Sequence, residues 1–178
     1  MNHNNLEFSR PIAVADLPER GKVMNMHATN EECAAIAKRA LIPNVSKFEL
    51  DAELKYLPQS KILHLTVKIR ARYIQICVLS LEPFEQNSEF NFESECLDAE
   101  QIHDYMANLD AEDELSQDGL EPIINGHLDL GELAVQNFLV LLDPYPKKPG
   151  VSLNLTEATA DADKIKPFAA LKSLKNNI

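Results

Sequence analysis

The sequence predicts an α+β fold: a curled antiparallel β-sheet packed by two main α-helices, with an acidic loop and an extended C-terminal tail. Three observations carry this expectation. From Lys47 to Tyr56, apolar and charged residues alternate strictly, the period of a strand with one buried face. Thr29 and Glu32 precede Cys33, Ile36, Ala37, Ala40 and Leu41, which recur at the spacing of one helix face. Asp129 and Glu132 open an almost unbroken apolar run from Leu130 to Leu142. A chain of 178 residues is long enough for one core and short for two. The expected organisation is one domain over 1–150 and a polar tail over 151–178.

In chain order, Glu7–Val14 reads as a strand, Asp16–Gly21 as a turn and Val23–Ala28 as a second strand. The first helix spans Asn30–Leu41. Its start carries a capping box, in which the Thr29 side chain and Glu32 satisfy each other's backbone amides. Ile42-Pro43 stops it. The alternating strand follows, then a turn at Pro58-Gln59-Ser60. The returning strand carries Leu63, Leu65, Val67, Ile69, Ala71 and Tyr73 on one face. Pairing Leu57 with Ile62 places Leu54 opposite Leu65 and Leu50 opposite Ile69, which keeps every apolar side chain on the same face. Beyond Tyr73 both faces turn apolar, so a bulge or break is expected before Leu81, and Glu82-Pro83 turns the chain. Phe84–Cys96 alternates as a further strand.

Leu97–Leu120 is acidic and weakly apolar. It buries too little to offset its ordering entropy and is expected to be a flexible insertion over 97–120, with a transient helix around Ala99–Leu109. Glu121–Ile124 returns as a strand. The second helix then begins. Asp129 is placed to accept a backbone amide and Glu132 to reach back to the cap. The run is apolar enough to be buried on most sides, and Asp143-Pro144 ends it. In the tail, Phe168, Leu171 and Leu174 fall three apart within Pro167–Leu174, the spacing of a short helix that docks on something.

The net charge of −11 is unevenly spread. Residues 1–72 sum to +3, residues 73–146 hold 17 carboxylates and no Lys or Arg, and residues 147–178 sum to +3. Such asymmetry bears on partners: the middle repels phosphate and suits a basic protein, so contact with nucleic acid falls to the ends. No apolar run approaches the ~20 residues of a membrane span, and Met1–Asn5 lacks a signal-peptide pattern. Three scattered cysteines make no disulfide framework. A cytoplasmic location is the default.

Chemistry finds little material. No Cys-x-x-Cys, His-x-x-x-His or His-Glu-x-x-His occurs, and the five histidines are spread singly, so no metal or cofactor is expected. Cys77 lies on the inward parity of an apolar strand, which favours an inert core thiol. Five glycines offer no phosphate-cradling loop. Lys68, Arg70 and Arg72 line one strand face like a phosphate ladder. The hairpin register answers two of them, with Asp51 opposite Lys68 and Glu49 opposite Arg70; Lys47 stands opposite Arg72. That leaves Arg10, Arg72, Lys147 and Lys148 as the candidate unpaired cations.

Asp129-Leu-Gly-Glu-Leu133, the apolar helix and Asp143-Pro-Tyr-Pro-Lys-Lys-Pro-Gly150 resemble the YceD family, the large ribosomal RNA subunit accumulation proteins. Phe8-Ser9-Arg10-Pro11-Ile12, Gln75–Phe84 and Lys166–Lys172 agree in the same order, the last with the alphaproteobacterial branch. Many relatives carry Cys-x-x-Cys where this chain has Cys77-x-x-Ser80, so a metal or redox role for that pair is not implied. The resemblance implies a non-enzymatic ribosome biogenesis factor supporting synthesis, processing or stability of large-subunit ribosomal RNA. The charge map points to a basic ribosomal protein or an assembling particle as its partner, with direct contact to ribosomal RNA left open and neither membrane nor DNA expected. The alternative is a metal-dependent RNA-processing hydrolase using the acidic middle. The Pro-rich exit costs little entropy to order on binding. The candidate binding residues are therefore Arg10, Arg72, Asp143, Tyr145, Lys147 and Lys148, with Thr29, Glu32, Asp129 and Glu132 as structural caps.

Overall fold

Two long strands frame the molecule in the computed structural model, which describes residues 6–102 and 120–152. They are β3 (Asn44–Leu57) and β4 (Ile62–Ile76), and they pair antiparallel in the register that the apolar pattern demands, with Leu57 opposite Ile62, Leu54 opposite Leu65 and Leu50 opposite Ile69. On one side β2 (Lys22–His27) adds antiparallel to β3. On the other, β5 (Pro83–Asp98) adds antiparallel to β4, and β6 (Leu120–Ile123) joins β5 in parallel. The break expected before Leu81 falls at Ile76, and a separate irregularity lies between Val45 and Lys47 of β3. β4 ends at Ile76, and a turn follows.

One sheet face carries the core. Phe48, Leu50 and Leu54 of β3 and Leu63, Leu65, Val67 and Ile69 of β4 are all almost fully buried. Helix α1 (Asn30–Arg39) covers this face with Cys33, Ile36 and Ala37, and helix α2 (Leu130–Leu141) with Leu130, Leu133, Ala134, Val135 and Phe138. Phe138 is the hub: Phe48, Tyr73 and Phe90 each meet its ring edge-on at 5.3–5.7 Å. Such contacts contribute ~0.5–1.5 kcal/mol each beyond area burial.

The expected strand over Glu7–Val14 shrinks to β1 (Pro11–Ala13), which pairs with β7 (His127–Asp129) in a separate two-stranded ribbon. The N-terminal motif is instead used as a clasp. Leu130 N–H donates to Arg10 C=O, and the Asp129 carboxylate accepts from Arg10 N–H at 2.8 Å and from the Ser9 hydroxyl. Gly131 makes this approach possible: a Cβ there would stand 2.3 Å from the Phe8 carbonyl oxygen.

The acidic insertion is also shorter at both ends than 97–120. Leu97 is buried inside β5, residues 99–102 are helical, and Leu120 begins β6. The remainder of the proposed Ala99–Leu109 helix and the Pro167–Leu174 segment lie outside the described residues. Among the described residues, no helix is long and apolar enough to cross a membrane.

Candidate interaction surface

The caps come first, because they decide which charges remain for function. Thr29 and Glu32 form the full reciprocal box. Glu32 also takes the Arg10 guanidinium at 2.8 and 3.0 Å, and that ion pair holds its carboxyl below the usual range. Asp129 caps Glu132 N–H, but Glu132 does not reach back. Its carboxylate binds Arg39 of α1 at 2.8 and 2.9 Å, and Arg39 also holds Glu7. The second predicted box is therefore half a box: an interhelical ion pair outcompetes the local return bond.

The six predicted binding residues do not converge. Arg10 is not an unpaired cation. It is bonded to Glu32 and stacked 4.1 Å above the Phe8 ring, at the N-terminal end of α2. The Pro-rich exit lies at the other end of that 12-residue helix, ~18 Å away at helical rise. Arg72 is on the outer sheet face, where its Nε donates to Asn87 and no carboxylate meets it among the described residues. Lys148 is not unpaired either, because its ammonium holds Glu82 at 2.7 Å. Lys147 is exposed.

The outer sheet face is a charge lattice. Arg70 bonds Asp51 and Glu49 on β3, while Lys68 crosses to Glu89 on β5. Both cations predicted to be answered are answered, although Lys68 finds its partner on the opposite neighbour from Asp51. Arg70 holds the Asp51 carboxyl below its ordinary range, and Lys47 chiefly does the same for Glu49. A phosphate ladder is thereby largely neutralised. Glu85, Glu89, Glu93 and Glu95 form an outward row along β5.

What the structure does assemble is apolar. Where α1 ends, β4 ends and α2 exits, a groove of about 490 Å³ opens, lined by Leu41, Ile76, Val78, Leu139, Leu142 and Pro146 among others. Seven of the nine exposed large apolar side chains among the described residues belong to the three segments that meet here. Leu41 is 92% exposed, Val140 82%, Leu81 75% and Tyr145 71%. The apolar residues of the second helix from Leu130 to Phe138 are buried as expected, but Val140 and Leu141 are exposed. Val140 follows exposed Gln136 by four residues on the outer face of the helix, while Leu139 and Leu142 still pack against the core.

Leu41 incurs a second cost. The helix end is a Schellman motif: Ile42 N–H returns to Ala37 C=O and Leu41 N–H to Lys38 C=O. That motif puts Leu41 at φ +55°, a conformation glycine adopts freely and a leucine adopts at ~1–2 kcal/mol. Leu81 shares the conformation at φ +59°. An exposed leucine in a left-handed turn contributes little to folding. Contiguous exposed apolar surface of this kind marks interaction sites.

The exit is held in place by β4 and the turn after it. Gln75, nearly buried, donates to Asp143 C=O at 3.0 Å and accepts from Gln86 at 2.6 Å. The Asp143 side chain turns the chain by accepting Tyr145 N–H, and Val78 N–H donates to Pro146 C=O. Cys77 is buried as expected, but its surroundings are polar. Its Sγ accepts the amides of Ser80 and Lys148 at 3.4 and 3.3 Å. The Lys148 amide above all lowers the thiol to about 6. Cys96, by contrast, is raised to about 12 by burial.

A hollow of about 570 Å³ along α1 is lined by Glu7, Glu32 and Arg39, whose charges are already matched within the fold. It is a weaker candidate than the groove. Periodicity reads the groove residues as core, and the chain order Ala40-Leu41-Ile42-Pro43 carries no mark of an exposed leucine. Comparison with protein-family models, with curated proteins and with solved structures finds no match.

Proposed function

We propose that this chain is a non-catalytic ribosome biogenesis factor of the cytoplasm. In this reading it supports the synthesis, processing or stability of large-subunit ribosomal RNA by holding a basic ribosomal protein or an assembling particle. Its ribosomal setting rests on the likeness of the Phe8–Ile12, Gln75–Phe84, Asp129–Gly150 and Lys166–Lys172 motifs to the YceD family. A protein partner is supported by one observation above the others: seven of the nine exposed large apolar side chains among the described residues belong to the three segments that frame the groove, and Leu41, Ile76 and Val78 line it. Tyr145, exposed between the lining residues Pro144 and Pro146, offers a rigid aromatic anchor, and the outward carboxylates of β5 suit a basic partner.

The test uses Leu41→Asp, Val78→Asp and Tyr145→Ala, singly and combined, in cells depleted of the wild-type chain. Recovery of ribosomal protein on the tagged variant and the level of large-subunit ribosomal RNA should both fall, while melting temperature stays near wild type. Normal RNA levels with a stably folded triple variant would refute the reading.

A further inference from the structure

Resting on the groove as the partner site, we propose that the chain's own C-terminal segment, residues 164–178, is the groove's resident occupant in the absence of a partner. Its chemistry matches the site. Ile165, Phe168, Leu171 and Leu174 supply apolar side chains in a short stretch, and the groove presents Leu41, Val78, Leu139 and Leu142. The groove's own charged lining, Arg39 and Asp143, is balanced, and the charge asymmetry lies in the chain as a whole. Residues 164–178 hold four lysines and no carboxylate, so the net −11 divides into +4 here and −15 in the rest of the chain. Attraction between the two is built in and is not tied to one ion pair.

The connection favours the contact. The described chain leaves the fold at Ser152, a few residues after Pro146, which lines the groove itself. Val151 N–H is still tied to Lys148 C=O. About sixteen residues separate Ser152 from Phe168. As a flexible chain they span ~20–24 Å, and fully extended up to ~50 Å. A fold of about 130 residues has a radius of gyration of ~14 Å, so the groove is well within reach. A tether of this length holds its end at millimolar effective concentration, enough to fill a weak site and low enough for a tighter partner to displace it. A basic partner would then compete with a basic segment, and the partner site stays covered until that partner arrives.

The experiment uses the full chain. Cys33, Cys77 and Cys96 are all buried, so Ser173→Cys gives one accessible thiol for a nitroxide label. In the ¹⁵N-labelled, spin-labelled protein, the amide signals of Leu41, Val78 and Leu142 should lose more than half their intensity. Those of the β3–β4 turn at Gln59 and Ser60 should keep theirs. Adding Phe168→Asp and Leu171→Asp should restore the groove signals. Unselective broadening, or groove signals that keep their intensity, would overturn the proposal. So would selective broadening that appears only when unlabelled-nitrogen spin-labelled chain is mixed with ¹⁵N chain lacking the label, because the occupant would then be a second copy. The partner reading stands or falls separately: groove variants that lose ribosomal protein while the tail makes no contact would remove the tail proposal alone.

Discussion

Leu41→Gly separates a surface kept for binding from a surface that is simply part of the fold. Leu41 sits at the left-handed position closing α1, with φ +55° and 92% of its surface in water. Replacing it with glycine relieves ~1–2 kcal/mol of backbone strain. Glycine also loosens the unfolded chain, which takes back ~0.4–1 kcal/mol. Little side-chain burial is lost. The net result should lie between no change and ~1.5 kcal/mol of added stability, with ~1 kcal/mol corresponding to a 2–4 °C rise in melting temperature for a chain of this size. Urea unfolding should show a midpoint that holds or rises at constant m. The measurement belongs in a Phe168→Asp background, so that a docked tail contributes nothing. Recovery of ribosomal protein should fall in parallel when Leu41→Gly is placed in the wild-type chain. A loss of more than ~1 kcal/mol would mean the Leu41 side chain is packed in the fold, and the argument for the groove as a binding surface would collapse.

Other expectations test the clasp and the ionisable groups. Asp129→Ala should cost ~2–3 kcal/mol by urea unfolding, above the ~1 kcal/mol of a simple cap, because Ser9 and Arg10 lose their acceptor together with Glu132 N–H; a loss under 1 kcal/mol would show that the clasp is not energetically significant. Gly131→Ala should destabilise by at least ~1–3 kcal/mol, since the added Cβ meets the Phe8 carbonyl oxygen, and an unchanged midpoint would contradict that close approach. Glu32 has a lowered folded pKa, so its ion pair with Arg10 stabilises the protein above its ordinary value near 4.5 and is lost as pH falls through the folded value. Glu32→Gln should flatten the acid limb of a melting-temperature profile. Cys77 falls from 9.0 to about 6 on folding. The unfolded chain keeps that proton over the interval, so stability should climb from pH 6 to pH 9 in the wild type, and the climb should be missing in Cys77→Ser. A climb that persists in the variant would assign it to another group.

Much of the fold is legible along the chain, because it depends on neighbours in one element. Strict alternation from Lys47 to Tyr56 sets the face of β3, and a one-residue slip would bury its charges. The sheet register and the pairing of Leu50 with Ile69 therefore follow from pattern alone. Thr29 and Glu32, three apart, cap α1 by a contact local to one turn. Phe138 is core on the same periodic grounds. The destinations of longer-range charges depend on which segments meet. Glu132 has the spacing of a capping partner and binds Arg39 of another helix, because a guanidinium brought within 2.8 Å outcompetes a backbone amide. Arg10 and Lys148 read as unpaired and are paired for the same reason. The candidate site is the least legible part. Val140 is in step with exposed Gln136 on the outer face of α2, and in an almost unbroken apolar run nothing distinguishes it from a buried position. Leu41 reads as one more core position, and only its left-handed backbone and its exposure distinguish it. Coverage by distant segments is a property of the assembled layers, and no local pattern of residues encodes it.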